Sequence, residues 1–176
     1  MPFLPFWRPS SPQSCRIISL HSQGNSLRSM DNLSKERRSW NMGRIRSDNT
    51  APEIRVRSAL HRLGFRFRLH VKALPGKPDI VLPKWKHAVF VHGCFWHRHD
   101  GCKCAYTPKT RTEFWEEKFR QNILRDEAAL LQLRRMGWEV SIVWECETSK
   151  PNVLAKTIKS IVSRVRGKSQ TRPGAC

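Results

Sequence analysis

The chain has 176 residues, the length of one domain of ordinary size, and 39% of them are hydrophobic, which is enough for one core. Its 33 basic and 14 acidic residues give a formal net charge of +19. Such a charge favours a polyanionic partner such as nucleic acid; the alternative is charge that only keeps the protein in solution. No run of roughly eighteen apolar residues occurs, so no membrane span is expected.

The first 29 residues differ in composition from the rest, with four prolines and no acidic residue. Prolines at positions 2, 5 and 9 interrupt the apolar stretch that a signal peptide requires. Two interpretations stay open: a disordered extension, or a start of translation at Met30. We expect a domain over residues 30–149. Residues 150–176, which carry a charge of +7, are expected to form a basic C-terminal helix and tail.

The pattern of residues 50–70 predicts a helix followed by a strand. Thr50 and Glu53 have capping-box spacing, apolar residues recur at helical spacing, and Gly64 ends the helix. Residues 65–70 then alternate between apolar and basic side chains, which predicts a strand with one apolar face and one basic face that includes His70.

The next elements complete an α/β pattern. Residues 80–82 and 88–91 are short apolar runs separated by a turn, which predicts a hairpin of buried strands. A long helix is expected over 112–136, a strand over 138–144 and a final helix through 154–162. The predicted apolar face of the long helix consists of Phe114, Trp115, Phe119, Ile123, Leu130, Leu133 and Met136.

A loop rich in cysteine and histidine follows the hairpin. Cys94, His99 and Cys102 offer the mixed sulfur and nitrogen ligands that tetrahedral zinc prefers, and the fourth ligand would be Cys104 or Cys146. Clustering of this kind favours a metal site over a disulfide framework. The alternative is buried free cysteines with surface histidines.

Asp79 stands directly before the first strand of the hairpin, where many nucleases place a metal-binding carboxylate. Alone, this signal is weak, because an aspartate before a strand is more often a turn residue. The usual acid and lysine of the second strand are absent, so a general base would have to be another group. His92 and His97 are the candidates.

Four ordered blocks resemble the very short patch repair endonucleases of bacteria: P-G-K-P-D-I-V-L, F-V-H-G-C-F-W-H-R-H-x-x-C, T-P-K-T-R-T-E-F-W-x-x-K and G-W-E-V-x-I-V-W-E-C. The resemblance covers roughly residues 31–148. It implies a restriction-endonuclease-like fold of the PD-(D/E)XK type, a single domain with a mixed sheet flanked by helices and a structural zinc site. It also implies magnesium-dependent nicking 5′ to the thymine of a T:G mismatch, the product of 5-methylcytosine deamination.

The same resemblance assigns catalytic and metal-binding residues. Asp79 and the backbone carbonyl of Val91 would bind magnesium, and His97 would act on the attacking water. His92 and Glu53 would support catalysis, although capping explains Glu53 equally well. The implied zinc ligands are Cys94, His99, Cys102 and Cys146, with Cys104 as a substitute for Cys102.

DNA-contacting residues are also implied. Phe95, Trp96 and Trp115 would wedge beside the mismatch, where rings replace lost stacking. Lys118 and Asn122 share one helical face and would approach the mismatched pair, while Met42 would make a contact from an N-terminal arm. Each of these DNA-binding roles has an alternative. Trp115 would only pack in the core, and Lys118 and Asn122 would only form an ordinary solvated face of the helix.

The function predicted is therefore a mismatch-nicking DNA endonuclease that starts very short patch repair. We expect a monomer in the bacterial cytoplasm, at the nucleoid when bound to DNA. Its functional links would be to a cytosine-5 DNA methyltransferase and a repair polymerase. Two alternatives remain: a restriction-like nuclease of the same fold with a different trigger, and a non-catalytic zinc module that binds DNA.

Overall fold

The structure, a computed structural model, describes residues 34, 36–37, 40, 43 and 48–167. The chain divides into two units, Met1–Met42 and Gly43–Cys176. In the first unit Glu36, Arg37 and Trp40 are helical. Met42, a predicted DNA contact, lies outside the described residues.

Helix α1 (Ala51–Arg62) begins and ends where the sequence predicts. The backbone N–H and the hydroxyl of Thr50 donate to Glu53 Oε1 at 3.2 and 2.8 Å, which satisfies groups that the first turn leaves unpaired. After the helix, Gly64 has a φ of +81°, a backbone angle that glycine adopts without strain.

Four strands form one mixed sheet in the order β1–β2–β3–β4. The first three strands are antiparallel, with Ile80 opposite Val89, and β4 runs parallel to β3. The predicted hairpin is confirmed, and a short 3-10 helix (Pro83–Trp85) makes its turn. The strand bounds are β1 Arg68–Leu69, β2 Ile80–Leu82, β3 His87–His92 and β4 Glu139–Trp144.

Helices cover both faces of the sheet, so the predicted α/β class is confirmed. The remaining helices are α2 (Thr112–Arg135), α3 (Glu145–Thr148) and α4 (Pro151–Gly167). Val89 packs with residues of α1 and α4, whereas Ala88 and Phe90 pack with Leu133 of α2. Successive residues of β3 therefore enter different cores, which explains why this strand is apolar almost throughout. Ile158, Ile161 and Val165 of α4 belong to the first core.

Two predictions about burial are wrong. The strand expected over residues 65–70 has only two paired residues, because the three-residue β2 pairs only with Arg68 and Leu69, and Leu69 is exposed. On α2, Phe114, Ile123 and Met136 are exposed, and the buried residues are Phe119, Ala129 and Leu133. A 24-residue helix spans about 36 Å, while the six-residue β3 spans about 20 Å, so much of α2 has no sheet beneath it.

Among the described residues, no helix is long and apolar enough to cross a lipid bilayer.

Candidate active site and zinc centre

A cleft of about 750 Å³ opens where the start of α1, the start of β2, the end of β3 and one face of α2 meet. It collects residues from six separate parts of the sequence. The predicted site residues that line it are Glu53, Asp79, Val91, His92, Trp96, His97, Lys118 and Asn122.

Asp79 lies against the backbone of β3. Its Oδ2 accepts a hydrogen bond from the Val91 N–H at 2.7 Å. In a strand, the N–H and C=O of one residue point to the same side, so the Val91 carbonyl also faces this edge. Burial first, and the charge of Glu53 as well, raise the pKa of Asp79 to about 6, although the hydrogen bond from Val91 lowers it.

Glu53 caps α1 and also lines the cleft. Oε1 accepts the bonds from Thr50, and Oε2 accepts the Asn49 N–H at 3.1 Å and pairs with Arg57. Ligand atoms of Glu53, His70 and Asp79 lie within 4.8 Å of one another.

These oxygen groups fit a hard divalent cation. Magnesium prefers carboxylate and carbonyl oxygens, which Asp79, Glu53 and the Val91 carbonyl offer. The pKa of Asp79 is raised because ionising this carboxyl places a negative charge in a largely buried position beside Glu53. A bound cation would lower the free-energy cost of that charge.

Two histidines stack on the opposite wall of the cleft. The rings of His92 and His97 lie 3.9 Å apart at 13°, and His97 Nδ1 contacts Asp126 Oδ2 at 2.5 Å. Burial first, and the neighbouring His97 second, lower the pKa of His92 to about 4, so this ring is neutral at pH 7. Although the three side chains are close enough to share a metal, the lone pairs of parallel rings lie in parallel planes and do not converge. The arrangement suits proton transfer better.

Asp126 is a site residue that the sequence predictions missed. It lies on α2 four residues after Asn122, which itself follows Lys118 by four, so all three share one face. Extending that spacing by one step would have found it. Asn122 also holds the loop of the cleft, because its Nδ2 donates to the Trp96 carbonyl at 3.0 Å.

The predicted zinc ligands Cys94, His99, Cys102 and Cys146 come together, with their ligand atoms within 4.8 Å of one another. His99 Nδ1 lies 3.6 Å from Cys94 Sγ and 3.3 Å from Cys146 Sγ. A tetrahedral zinc ion with ordinary bond lengths requires about 3.6 Å between sulfur and nitrogen, so the group fits zinc. Cys104 is exposed and lies outside the group.

Burial disfavours the thiolate form of two cysteines of this centre. Burial raises the pKa of Cys94 to about 12 and also raises that of Cys146. Such thiols become thiolates when a metal supplies the compensating charge. Cys146 lies in α3, two residues after β4 ends, so a bound ion would tie the loop that carries His97 to the end of the sheet.

Phe95, Trp96 and Trp115 form one aromatic cluster with Phe119. The Phe95 ring lies 5.1 Å from Trp96, 5.4 Å from Trp115 and 5.2 Å from Phe119, each nearly edge-on. Phe119 is buried, whereas the other three rings are partly exposed. The cluster therefore packs against α2 and still presents ring surface beside the cleft.

Several known proteins are similar to this chain in amino-acid sequence. The family model for the DNA mismatch endonuclease Vsr matches residues 30–103. A type II nicking enzyme of Xanthomonas oryzae pv. oryzae, V.XorIIP, is 48% identical over 132 residues, which cover 75% of this chain and 96% of that protein. The DNA mismatch endonuclease Vsr of Escherichia coli is 46% identical over 112 residues, covering 64% of this chain and 71% of that one. A type II nicking enzyme of Neisseria meningitidis, V.NmeAIP, is 40% identical over 136 residues, 77% of this chain and 96% of that protein.

The α/β fold, the acidic cleft and these relatives define a DNA endonuclease. The chain belongs to the DNA mismatch endonuclease Vsr family, as its resemblance to very short patch repair enzymes predicts.

Proposed function

We propose that this chain nicks one strand of duplex DNA 5′ to the thymine of a T:G mismatch, in a magnesium-dependent reaction that starts very short patch repair. The observation that carries the proposal is the meeting of two neighbouring carboxylates, Asp79 and Glu53, with the His97–Asp126 pair in one cleft beside partly exposed rings. We also propose a restriction-endonuclease-like fold, supported by an aspartate placed directly before an antiparallel hairpin of a mixed sheet.

Magnesium held by Asp79 and the Val91 carbonyl would supply positive charge to the scissile phosphate. Asp126 accepts from His97 Nδ1, which leaves Nε2 as the basic nitrogen of that ring. His97 Nε2 takes a proton from the attacking water, whose oxygen bonds to phosphorus as the bond from phosphorus to the 3′ oxygen breaks. The leaving 3′ oxygen takes a proton from a solvent water, and His97 later releases its proton to solvent. The products are a 3′-hydroxyl and a 5′-phosphate.

The zinc centre has a separate, structural role in this proposal. Cys94, His99, Cys102 and Cys146 would supply four ligands to zinc, which would leave no open coordination position for substrate. The bound ion would fix the loop that carries His97 and Trp96. The rings of Phe95, Trp96 and Trp115 would stack beside the mismatch, with Lys118 and Asn122 approaching the pair in the groove.

The test uses end-labelled duplexes that differ only in one pair, T:G or T:A, within randomised flanks. We expect nicks 5′ to the mismatched thymine, with magnesium only, and none with Asp79→Ala, which still binds the T:G duplex. Cleavage by Asp79→Ala would refute the assignment. Equal cleavage of T:A duplexes would favour a nuclease with a different trigger.

A link to a cytosine-5 DNA methyltransferase follows from the proposed lesion, because deamination of 5-methylcytosine produces thymine opposite guanine. The flanking bases recovered from nicked duplexes should then match the target of that methyltransferase.

A further inference from the structure

His70 is a partly buried cleft residue that the proposed reaction does not use. It follows β1 directly, and its φ of +47° is in the left-handed region, which costs a residue other than glycine about 1 kcal/mol. The main chain is fixed there by the His70 N–H, which donates to the Asp79 carbonyl at 3.4 Å. The side chain lies in the cleft between Asp79 and Glu53.

The contacts of the His70 ring determine which nitrogen carries the proton. Nε2 lies 2.8 Å from Arg57 Nη2, and a guanidinium nitrogen can only donate. Nε2 must therefore accept, because two donors at that distance would repel each other. In a neutral imidazole whose Nε2 accepts, the proton is on Nδ1.

The Nδ1–H has no hydrogen-bond partner within the described residues, although it is buried. The nearest acceptors are Asp48 Oδ1 at 3.7 Å and Asp79 Oδ1 at 3.8 Å, both too far for a direct bond. A buried donor without a partner costs about 1–3 kcal/mol. The separation of His70 Nδ1 and Asp79 Oδ1 suits a third oxygen atom beside both groups, which would accept the hydrogen bond from Nδ1.

We propose that His70 is a positioning residue of the metal site, whose Nδ1–H donates to a metal-bound water beside Asp79 Oδ1. Glu53 holds Arg57, and Arg57 holds His70 Nε2, so the His70 ring is kept in place beside Asp79. Partners of this kind commonly change metal affinity by about 10–100-fold. This inference rests on the proposed metal site at Asp79.

The experiment measures Mn²⁺ binding to the zinc-loaded protein by electron paramagnetic resonance, without DNA and therefore without activity. His70→Phe keeps a ring but loses the donor, and we expect it to bind the Asp79-dependent Mn²⁺ about 10–100-fold more weakly. His70→Asn is the rescue variant, because asparagine tolerates a positive φ and its amide nitrogen can occupy the place of Nδ1. We expect it to bind Mn²⁺ nearly as the wild type does. His61→Phe, on the exposed side of α1, is the matched control.

The outcomes separate this inference from the proposed function. If Asp79→Asn and the wild type bind Mn²⁺ alike, the metal site itself is refuted and His70 loses its role with it. If Asp79→Asn loses the ion but His70→Phe keeps wild-type affinity, only the positioning role is refuted. The positioning role is also refuted if His70→Asn binds Mn²⁺ as weakly as His70→Phe does. It is likewise refuted if the wild type shows a ¹⁴N signal from a nitrogen bound directly to Mn²⁺ and His70→Phe removes that signal.

Discussion

Replacing Asp79 by asparagine should make the protein more stable while abolishing cleavage. Asp79 is largely buried beside Glu53, and its pKa rises from 3.8 to about 6. A group whose pKa is raised on folding stabilises the native state below its unfolded pKa, and that stability is lost as the pH rises through the folded pKa. At about 1.4 kcal/mol per pKa unit, the ionised carboxylate costs about 3 kcal/mol above pH 7.

Asparagine removes this charge without removing the local hydrogen bond, because its Oδ1 can still accept the Val91 N–H. In buffer without added divalent cation, Asp79→Asn should be more stable than the wild type by about 3 kcal/mol at pH 8. For a chain of this size, that corresponds to a rise in Tm of about 6–12 °C. The difference should shrink as the pH falls from 6 towards 4, where the wild-type carboxyl is protonated.

Thermal unfolding followed by circular dichroism between pH 4 and pH 8, with zinc left in place, measures this difference. Added magnesium should raise the Tm of the wild type and leave that of Asp79→Asn unchanged. Equal or lower stability of the variant at pH 8 would show that the Asp79 carboxylate is compensated by groups other than a cation, and would refute the reasoning.

Three further predictions concern the remaining parts of the site. Cys94→Ser should lose bound zinc and stability of the fold together, whereas Cys104→Ser should retain its zinc. Elemental analysis measures the zinc content of both variants. Loss of zinc from Cys104→Ser would mean that the wrong thiol is assigned as a ligand. His97→Ala should lower kcat by about 10²–10⁴-fold. Asp126→Asn should also lower kcat and should change KM little, because Asp126 contacts His97 Nδ1. An unchanged kcat for either variant would contradict the proton-transfer role. Gly76→Ala should lower the free energy of unfolding measured in urea by about 1–3 kcal/mol, because the new Cβ would lie 2.7 Å from the Cβ of Ala129 at a φ of +71°. Gly64→Ala should lower it less, because Gly64 also has a positive φ but has open space around it.

Local signals made much of the fold predictable from the sequence. The capping pattern at Thr50 located the start of α1, and the two short apolar runs located the hairpin. The positions of β3 and β4 followed from their apolar character, since both are covered by helices on two faces. Exposure on α2 was not predictable in this way, because periodicity shows which residues share a face but not how far the opposing sheet extends.

The contacts of the cleft depend on tertiary packing and were harder to predict. His97 and Asp126 are 29 positions apart, and they meet only because α2 packs on the face of β3 that carries Phe90 and His92. His70 was assigned to the basic face of a strand, yet its left-handed backbone directs the ring into the cleft. No pattern of residue types reveals a backbone angle of that kind at a position other than glycine.

The charge distribution links DNA binding to metal binding in the proposed reaction. The net charge of +19 attracts DNA, and exposed basic residues such as Lys156, Lys159 and Arg164 on α4 contribute to it. The cleft has the opposite character, because Glu53 and Asp79 would repel a phosphate placed between them. A cation bound at Asp79 removes that repulsion, so DNA and the metal should each raise the affinity for the other by the same factor. Asp79→Asn removes part of the same repulsion, and it should therefore bind a T:G duplex without magnesium at least as tightly as the wild type does.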